Sequence, residues 1–491
     1  MTTQVPLPTG SYVARDPRVS CKRLVNFMSE IGPQTSATDT KQKVPPITIR
    51  RAPGIVGLAN DSSNKATRGL HTMGAATYAV IGANLYAMSA TGALLLLGSG
   101  IPGTGFVRMA DNGQCLFILI PGTSIAYTFC PNAVAPAPLF ALFTDPTFLS
   151  YGALDVWFVD SYLVFLALNG LEFYNDDGQL ISGTGVPTFT TFGVFPREFG
   201  TDLLWGMCVD HREVLVFGAL TSEGYMNVGT ATGSSAGSPF GSAPNSFMQI
   251  GVHPLAGYTV ALQDQSVFWV ANDLTVRRRN GQTPTRVSNH GIEAVLEKAN
   301  LAGCYALTPT IGGHPLWVLT MPAAGNSLVY DCVTTEWFEM ESFGVGCWRP
   351  LCWLNAFGKQ LVGDSQGNGV GYLDTTVFTE FGVQMQCSFT TQGIYDGNNR
   401  ICHNRLELVI SAGEGASLTY APKVTLYISD DGGRTFWARD DKNLGESGQY
   451  GNRCVWFKLG QSRCRVYRFL ISDAAPTYTV DVTAELDGGK W

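Results

Sequence analysis

Apolar and polar positions alternate in short bursts along most of this chain, and Ser266 to Asn300 shows the pattern most clearly. Val267, Trp269 and their neighbours form a β-branched and aromatic run that stops at Asn272-Asp273, whose short side chains favour a turn. Leu274 and Val276 then alternate with Thr275 and Arg277 as far as Asn280-Gly281, a pair that tolerates positive φ in a tight hairpin. After Thr283-Pro284 a short strand, Thr285 to Val287, runs into Ser288-Asn289, either of which can cap a helix. Ile292, Val295, Leu296 and Ala299 follow at helical spacing. One unit is thus strand, turn, strand, turn, strand, with a short helix appended.

The unit recurs from Thr67 onward, by pattern more than by identity. Gly69 to Met73, Thr77 to Ile81, Leu85 to Met88 and Leu94 to Leu97 are four short strands split by Gly or Asn. Further sets start near Phe106, Val156, Trp205, Tyr258, Cys304 and Trp348. The mean period of roughly 47 residues lies in the range for four-stranded blades around an axis. Gly229 to Ser246 reads as a long surface loop. After about residue 377 the strands lengthen and the loops widen, as in Arg405 to Ile410 and Val466 to Ile471, which favours a separate antiparallel sandwich. The expected fold is therefore all-β: a β-propeller over 63–376, with seven blades and six as the alternative, followed by a β-sandwich over 377–491.

Composition agrees with short strands and tight turns, because charged residues are only 14% while Gly is 56 of 491. A net charge of -7 argues against a generally basic nucleic-acid binder. The opening MTTQVPLPTG lacks a charged-then-apolar leader, and Ala93 to Leu97 is far too short to span a bilayer. The expectation is no membrane-spanning segment, and a protein made or assembled in a cytoplasm. The twelve cysteines are scattered, so they are expected to be reduced and mostly buried. Cys347 and Cys352 lack a second pair for zinc, and Cys402-His403 stands alone.

Residues 1–62 read as a basic N-terminal arm. Through Asn60 the segment carries eight Lys and Arg residues against Asp16, Glu30 and Asp39, a local balance of +5 in an acidic protein. Leu24 to Met28 and Ile47 to Ile49 are its apolar runs, with the polar stretch Gln34 to Lys43 between them. Two readings stay open: a solvated arm tacked onto its own domain, or an arm that docks on another subunit. In the second, Arg15, Arg18, Lys22, Arg23, Arg50 and Arg51 are the candidate contacts.

Candidate chemistry is sparse. Asp155, Asp160, Glu172 and Asp210 sit near strand ends, where a propeller's pocket would lie, but acidic residues at turns are common in such folds. His71, His211 and His314 show no triad or metal spacing, and Arg277, Arg278 and Arg279 read as a solvated strand surface with Arg278 on the opposite face from its neighbours. Asn175 to Gly178 is better read as a hairpin turn than as a calcium loop. Ser429 to Phe436 fits the pattern S-x-D-x-G-x-T-[WF] of the Asp box, a structural hairpin in sialidase-like propellers. No enzyme, cofactor or metal site is expected.

Several motifs together resemble a known family. Leu24 to Glu30, Arg51 to Ile55, Asn280 to Pro284 with Ser288 to Glu293, Ser327 to Asp331 followed by Glu336-Trp337, and Trp456 to Arg463 occur in the order seen in the packaged-DNA stabilisation proteins of short-tailed phages, also called tail hub or nozzle proteins. The Gly229 to Ser246 loop and the length of the polar spacer near the N-terminus are departures. The resemblance implies a non-enzymatic virion protein: six copies forming a tube below the portal adaptor, contacting tail fibres or spikes, and retaining double-stranded DNA until ejection. An acidic conduit is compatible with that, since a basic wall would bind DNA through counterion release. A glycan-binding or glycan-cleaving tail propeller is the alternative.

Overall fold

The computed structural model describes the chain except residues 1, 32–46, 133–138, 179–184, 190–192, 230–238, 398, 412, 415–419 and 489–491. Short runs of β-branched and aromatic residues pair with their sequence neighbours, so five four-stranded antiparallel sheets follow one another over 67–99, 108–142, 155–196, 204–242 and 261–286. Two further four-strand units share their sheets with other parts of the chain. One comprises Tyr305–Leu307, His314–Met321, Asn326–Asp331 and Trp337–Glu339. The other comprises Pro350–Ala356, Lys359–Asp364 and Val370–Asp374, and its outer strand is Gly54–Ala59 from the far end of the chain. The first strand of each set begins at or beside the starts read from the sequence, and Pro350–Ala356 packs beside Thr67–Met73, closing the ring.

The blades pack face to face, which explains why their second strands are apolar on both sides. In the strand Leu116–Leu119, Leu116 and Ile118 join a core with Val80 and Leu85 of the preceding blade. Phe117 and Leu119 face the other way, against Leu163 and Phe165 of the following blade. Phe117 meets Phe143, Phe148 and Phe165 edge-on at 5.2 to 5.6 Å. Each such ring removed from water contributes about 1.5–3 kcal/mol.

The sandwich follows as expected, with one sheet ordered Phe27–Ile31, Ile47–Arg51, Tyr478–Gly488, Ile401–Ile410 and Cys454–Phe457. The other contains Cys21–Val25, Cys387–Thr390, Cys464–Ile471, Lys423–Ser429 and Trp437–Asn443. Three of these strands come from the segment expected to be an arm, and Thr2–Gln4 adds to Tyr478–Gly488 as well. The arm reading is therefore corrected: 1–62, where described, is woven into both domains. Its apolar runs are core strands, with Leu24, Phe27, Met28 and Ile49 fully buried. The stretch Gln34 to Lys43 lies outside the described residues. Val25 also pairs in parallel with Glu339, so Cys21–Val25 is the seam that joins a propeller blade and a sandwich sheet into one twelve-stranded sheet.

Helix is scarce. His290–Leu296 is the helix expected near Ile292, and of its two possible caps Asn289 serves, accepting from the Ile292 amide. The sequence reading missed Pro146–Tyr151, although Asp145-Pro146 supplies both its cap and its first position. Leu274 belongs to the turn, with φ 59°, and the strand begins at Val276. The Gly229 to Ser246 stretch is not all loop, because Phe240–Ser242 is the outer strand of its blade. One disulfide corrects the all-reduced expectation. Leu116 and Phe129 are cross-strand partners, so Cys115 and Cys130 stand opposite each other one step beyond and are bonded, while the other ten cysteines are free.

Candidate functional site

The first strands of the blades converge on an axial cavity of 580 Å³. Six aromatic rings stand in its wall among a larger number of aliphatic side chains. Phe106 meets Tyr258 edge-on at 4.8 Å and Tyr305 at 6.1 Å, and Trp157 and Trp353 add two indoles. The Arg108 guanidinium lies 5.9 Å from the centre of Trp157 and 5.6 Å from that of Tyr258, and donates to Asp155 at 2.9 Å. Asp155 also accepts from the Trp157 indole at 3.1 Å. Burial pushes its carboxyl up, against the Arg108 charge and these hydrogen bonds. A second pair, His71 and Asp111 at 2.6 Å, lies on the same wall. Arg68 at the cavity edge is spent on the carbonyls of Gly82, Ile101, Pro102 and Gly105, so it is a structural arginine.

The four carboxylates singled out in the sequence do not form a catalytic pair. Each has its own partner: Asp155 with Arg108, Asp160 with Arg212 at 2.7 Å, Glu172 with the Asn169 amide at 2.7 Å, and Asp210 with Arg279 and His211. Arg279 is only 7% exposed and reaches from its own blade to Asp210 and Glu213 of the preceding one. The solvated reading of the arginine run is thus corrected for Arg279, while Arg277 and Arg278 pair with Asp273 and Asp264 at the surface. His314 bonds Asp331. In Asn175 to Gly178, Asp176 accepts from the amides of Leu163 and Gly178, as a turn residue does. Among the described residues, no three His, Cys, Asp or Glu side chains gather as a metal cluster.

The six basic residues proposed as partner contacts are mostly internal fasteners. Arg51 is buried, donates to the carbonyls of Met385, Asp473 and Ala475, and lies 5.1 Å from the Phe378 ring centre. Arg23 forks onto Glu339 across the seam, and Arg50 pairs with Glu30 at 2.7 Å. Arg15 and Arg18, at the surface, pair with Glu297 and Asp16. Lys22 stands half-buried in the seam strand. Charge counting found these residues; only tertiary pairing shows where their charge is used.

The Asp box is formed as the sequence pattern requires. Asp431 accepts from the Ser429 and Thr435 hydroxyls and from the amides of Arg434 and Thr435. Desolvation pushes its carboxyl up, but these hydrogen bonds outweigh it and hold it well below the usual carboxylate range. The turn delivers Phe436 beneath Arg468 of the neighbouring strand, 3.7 Å from the ring centre.

A propeller whose last blade is closed by an N-terminal strand, fused through that same segment to a sandwich, defines a two-domain all-β protein. The chain belongs to the bacteriophage P22 Gp10 family: residues 3–378 match that family's beta-propeller and residues 386–487 its beta-sandwich. This is a family of structural phage proteins, not of enzymes, and the protein is a component of the virion tail. No curated protein matches the chain. Among solved structures, a computationally designed protein, Ika8, is 10% identical and covers 65% of this chain over 99% of its own, with a TM-score of 0.35. The extracellular domain of the one-component system BT4673 from B. thetaiotaomicron is also 10% identical, covering 80% of this chain over 48% of its own, with a TM-score of 0.41. Neither likeness carries an argument about function.

Proposed function

We infer that this protein is the nozzle or hub of a short phage tail, an oligomer of six copies seated below the portal adaptor. It holds tail fibres or spikes, retains packaged double-stranded DNA and conducts it during ejection, and it assembles in the host cytoplasm. Membership of the P22 Gp10 family over both domains is the observation that carries this reading. The mechanical continuity of the fold supports it. A tube under the pressure of packaged DNA must not come apart between domains, and here the seam strand Cys21–Val25 and the Arg23 to Glu339 ion pair tie propeller to sandwich. The acidic net charge of -7 supports a surface along which DNA slides without adhering.

The test is assembly. Purified protein mixed with portal-adaptor rings is expected to add a six-fold ring visible by electron microscopy, and protein that stays monomeric beside intact adaptor rings contradicts the reading. The aromatic axial cavity favours a second reading, a propeller that binds a glycan. Glycan-dependent quenching of tryptophan fluorescence that disappears in Trp157→Ala would support it.

A further inference from the structure

The sandwich carries a second pocket, of 330 Å³, that neither the axial cavity nor the family explains. Its floor is a cross-strand row. Arg23 is opposite Thr390, Thr390 opposite Arg468, and Arg468 opposite Tyr427, so all four side chains leave the same face of the sheet. Phe343, 51% exposed, and Glu341 wall the pocket from the segment beyond the seam.

The two arginines of this row differ. Arg23 is spent on Glu339. Arg468 donates through Nε to the Thr390 hydroxyl at 3.3 Å and stacks on Phe436, yet no carboxylate lies within ion-pair distance of it among the described residues. Burial pushes its pKa down and the neighbouring Arg23 charge adds to that, against a smaller upward pull from Glu339, a carboxylate already forked onto Arg23, so the guanidinium is desolvated with no carboxylate hydrogen-bonded to it among the described residues. Stacking on Phe436 fixes the planar fork, a geometry that suits bidentate recognition of a carboxylate.

We propose that this pocket docks an acidic segment of a partner polypeptide, with a carboxylate on the Arg468 fork and an apolar neighbour over Phe343. Charge complementarity and the exposed ring together specify that occupant. A DNA backbone fits poorly, because one recessed guanidinium on a chain of net charge -7 cannot supply the row of phosphate contacts that gives DNA binding its strength. The proposal does not depend on ring formation.

The probe is a labelled tetrapeptide with two glutamates between leucine and phenylalanine, titrated against the full chain at low salt by fluorescence anisotropy. The wild type is expected to bind it at least about tenfold more tightly than the glutamine version of the same peptide, since charge-assisted bonds are roughly twice as strong as neutral ones. Arg468→Gln should lose at least about tenfold in affinity while its melting temperature stays near that of the wild type, and Arg468→Lys should restore only part of the loss. Phe343→Ala should weaken binding without abolishing it. Equal affinity for the glutamate and glutamine peptides, which needs no variant to observe, overturns the proposal. So does undiminished binding by folded Arg468→Gln, or a short duplex DNA that displaces the peptide at lower concentration than free peptide does.

Discussion

Removing residues 1–52 tests most sharply whether the N-terminal segment is core or arm. The deletion takes Val5, Leu24, Val25, Phe27, Met28 and Ile49 out of the molecule, all of them buried. At about 1.5–3 kcal/mol for each such side chain, six of them contribute roughly 9–18 kcal/mol. A domain's entire stability is about 5–15 kcal/mol. The deletion also removes Arg51, whose guanidinium satisfies three sandwich carbonyls. The sandwich of the truncated chain should therefore be unfolded, while the propeller, which keeps Gly54–Ala59, should still close. Limited proteolysis with mass mapping reads this directly: fragments should arise throughout 386–487 while 54–376 survives. The point variant Phe27→Ala grades the same effect. Phe27 is wholly buried and meets Phe389 edge-on at 5.8 Å, so the expected loss is about 3–5 kcal/mol, seen as a lower urea midpoint for the sandwich transition. A truncated chain whose sandwich unfolds cooperatively at the wild-type midpoint would show that the segment is a solvated arm after all.

Other outcomes follow from the buried charges. Asp155→Asn leaves the half-buried Arg108 without its counter-ion and should cost about 1.5–3 kcal/mol by thermal melting, with no loss of any glycan-releasing activity in a reducing-sugar assay. His403 is buried between the Tyr467 and Ser462 hydroxyls, and burial, with Arg465 adding to it, holds its pKa down to about 4 from 6.5. Its contribution, roughly 3 kcal/mol, is present above pH 6.5 and lost as pH falls through about 4; His403→Gln should flatten that acid limb in denaturant titrations. Glu380 has the opposite sign: burial pushes its pKa up to about 7 from 4.5, so its contribution is present below 4.5 and lost as pH rises through about 7. Glu380→Gln should reduce the fall in stability between pH 5 and 8, and an unchanged slope would show that the carboxyl is solvated.

Local pattern exposed the blades because each pairs with its own sequence neighbours: the hairpin from Val276–Asn280 to Thr283–Arg286 is closed by Gly281 at φ 59°, as Asn280-Gly281 indicated. What stayed hidden was long-range pairing. Gly54–Ala59 completes a blade whose other strands begin at Pro350, and Cys21–Val25 pairs with strands that begin at Trp337 and Cys387. The last repeat shows only three strands of its own, and that deficit was the available clue to a strand arriving from elsewhere. Charge was misleading for a related reason. Arg51 and Arg279 look like surface cations in sequence, but their partners, the Asp473 and Ala475 carbonyls and the Asp210 and Glu213 carboxylates, are supplied by residues far away in the chain. The Asp box is confined to one turn, so its pattern sufficed.

In the proposed role this chain builds a DNA-conducting ring in the tail. Electron microscopy of virions carrying the chain with a small tag at its C-terminus decides it most directly: the account predicts six tag densities around the tail axis immediately below the adaptor, with DNA density inside the ring before ejection and none after. Tag density confined to peripheral appendages, or DNA-filled heads that form and stay full in virions lacking the protein, would contradict it.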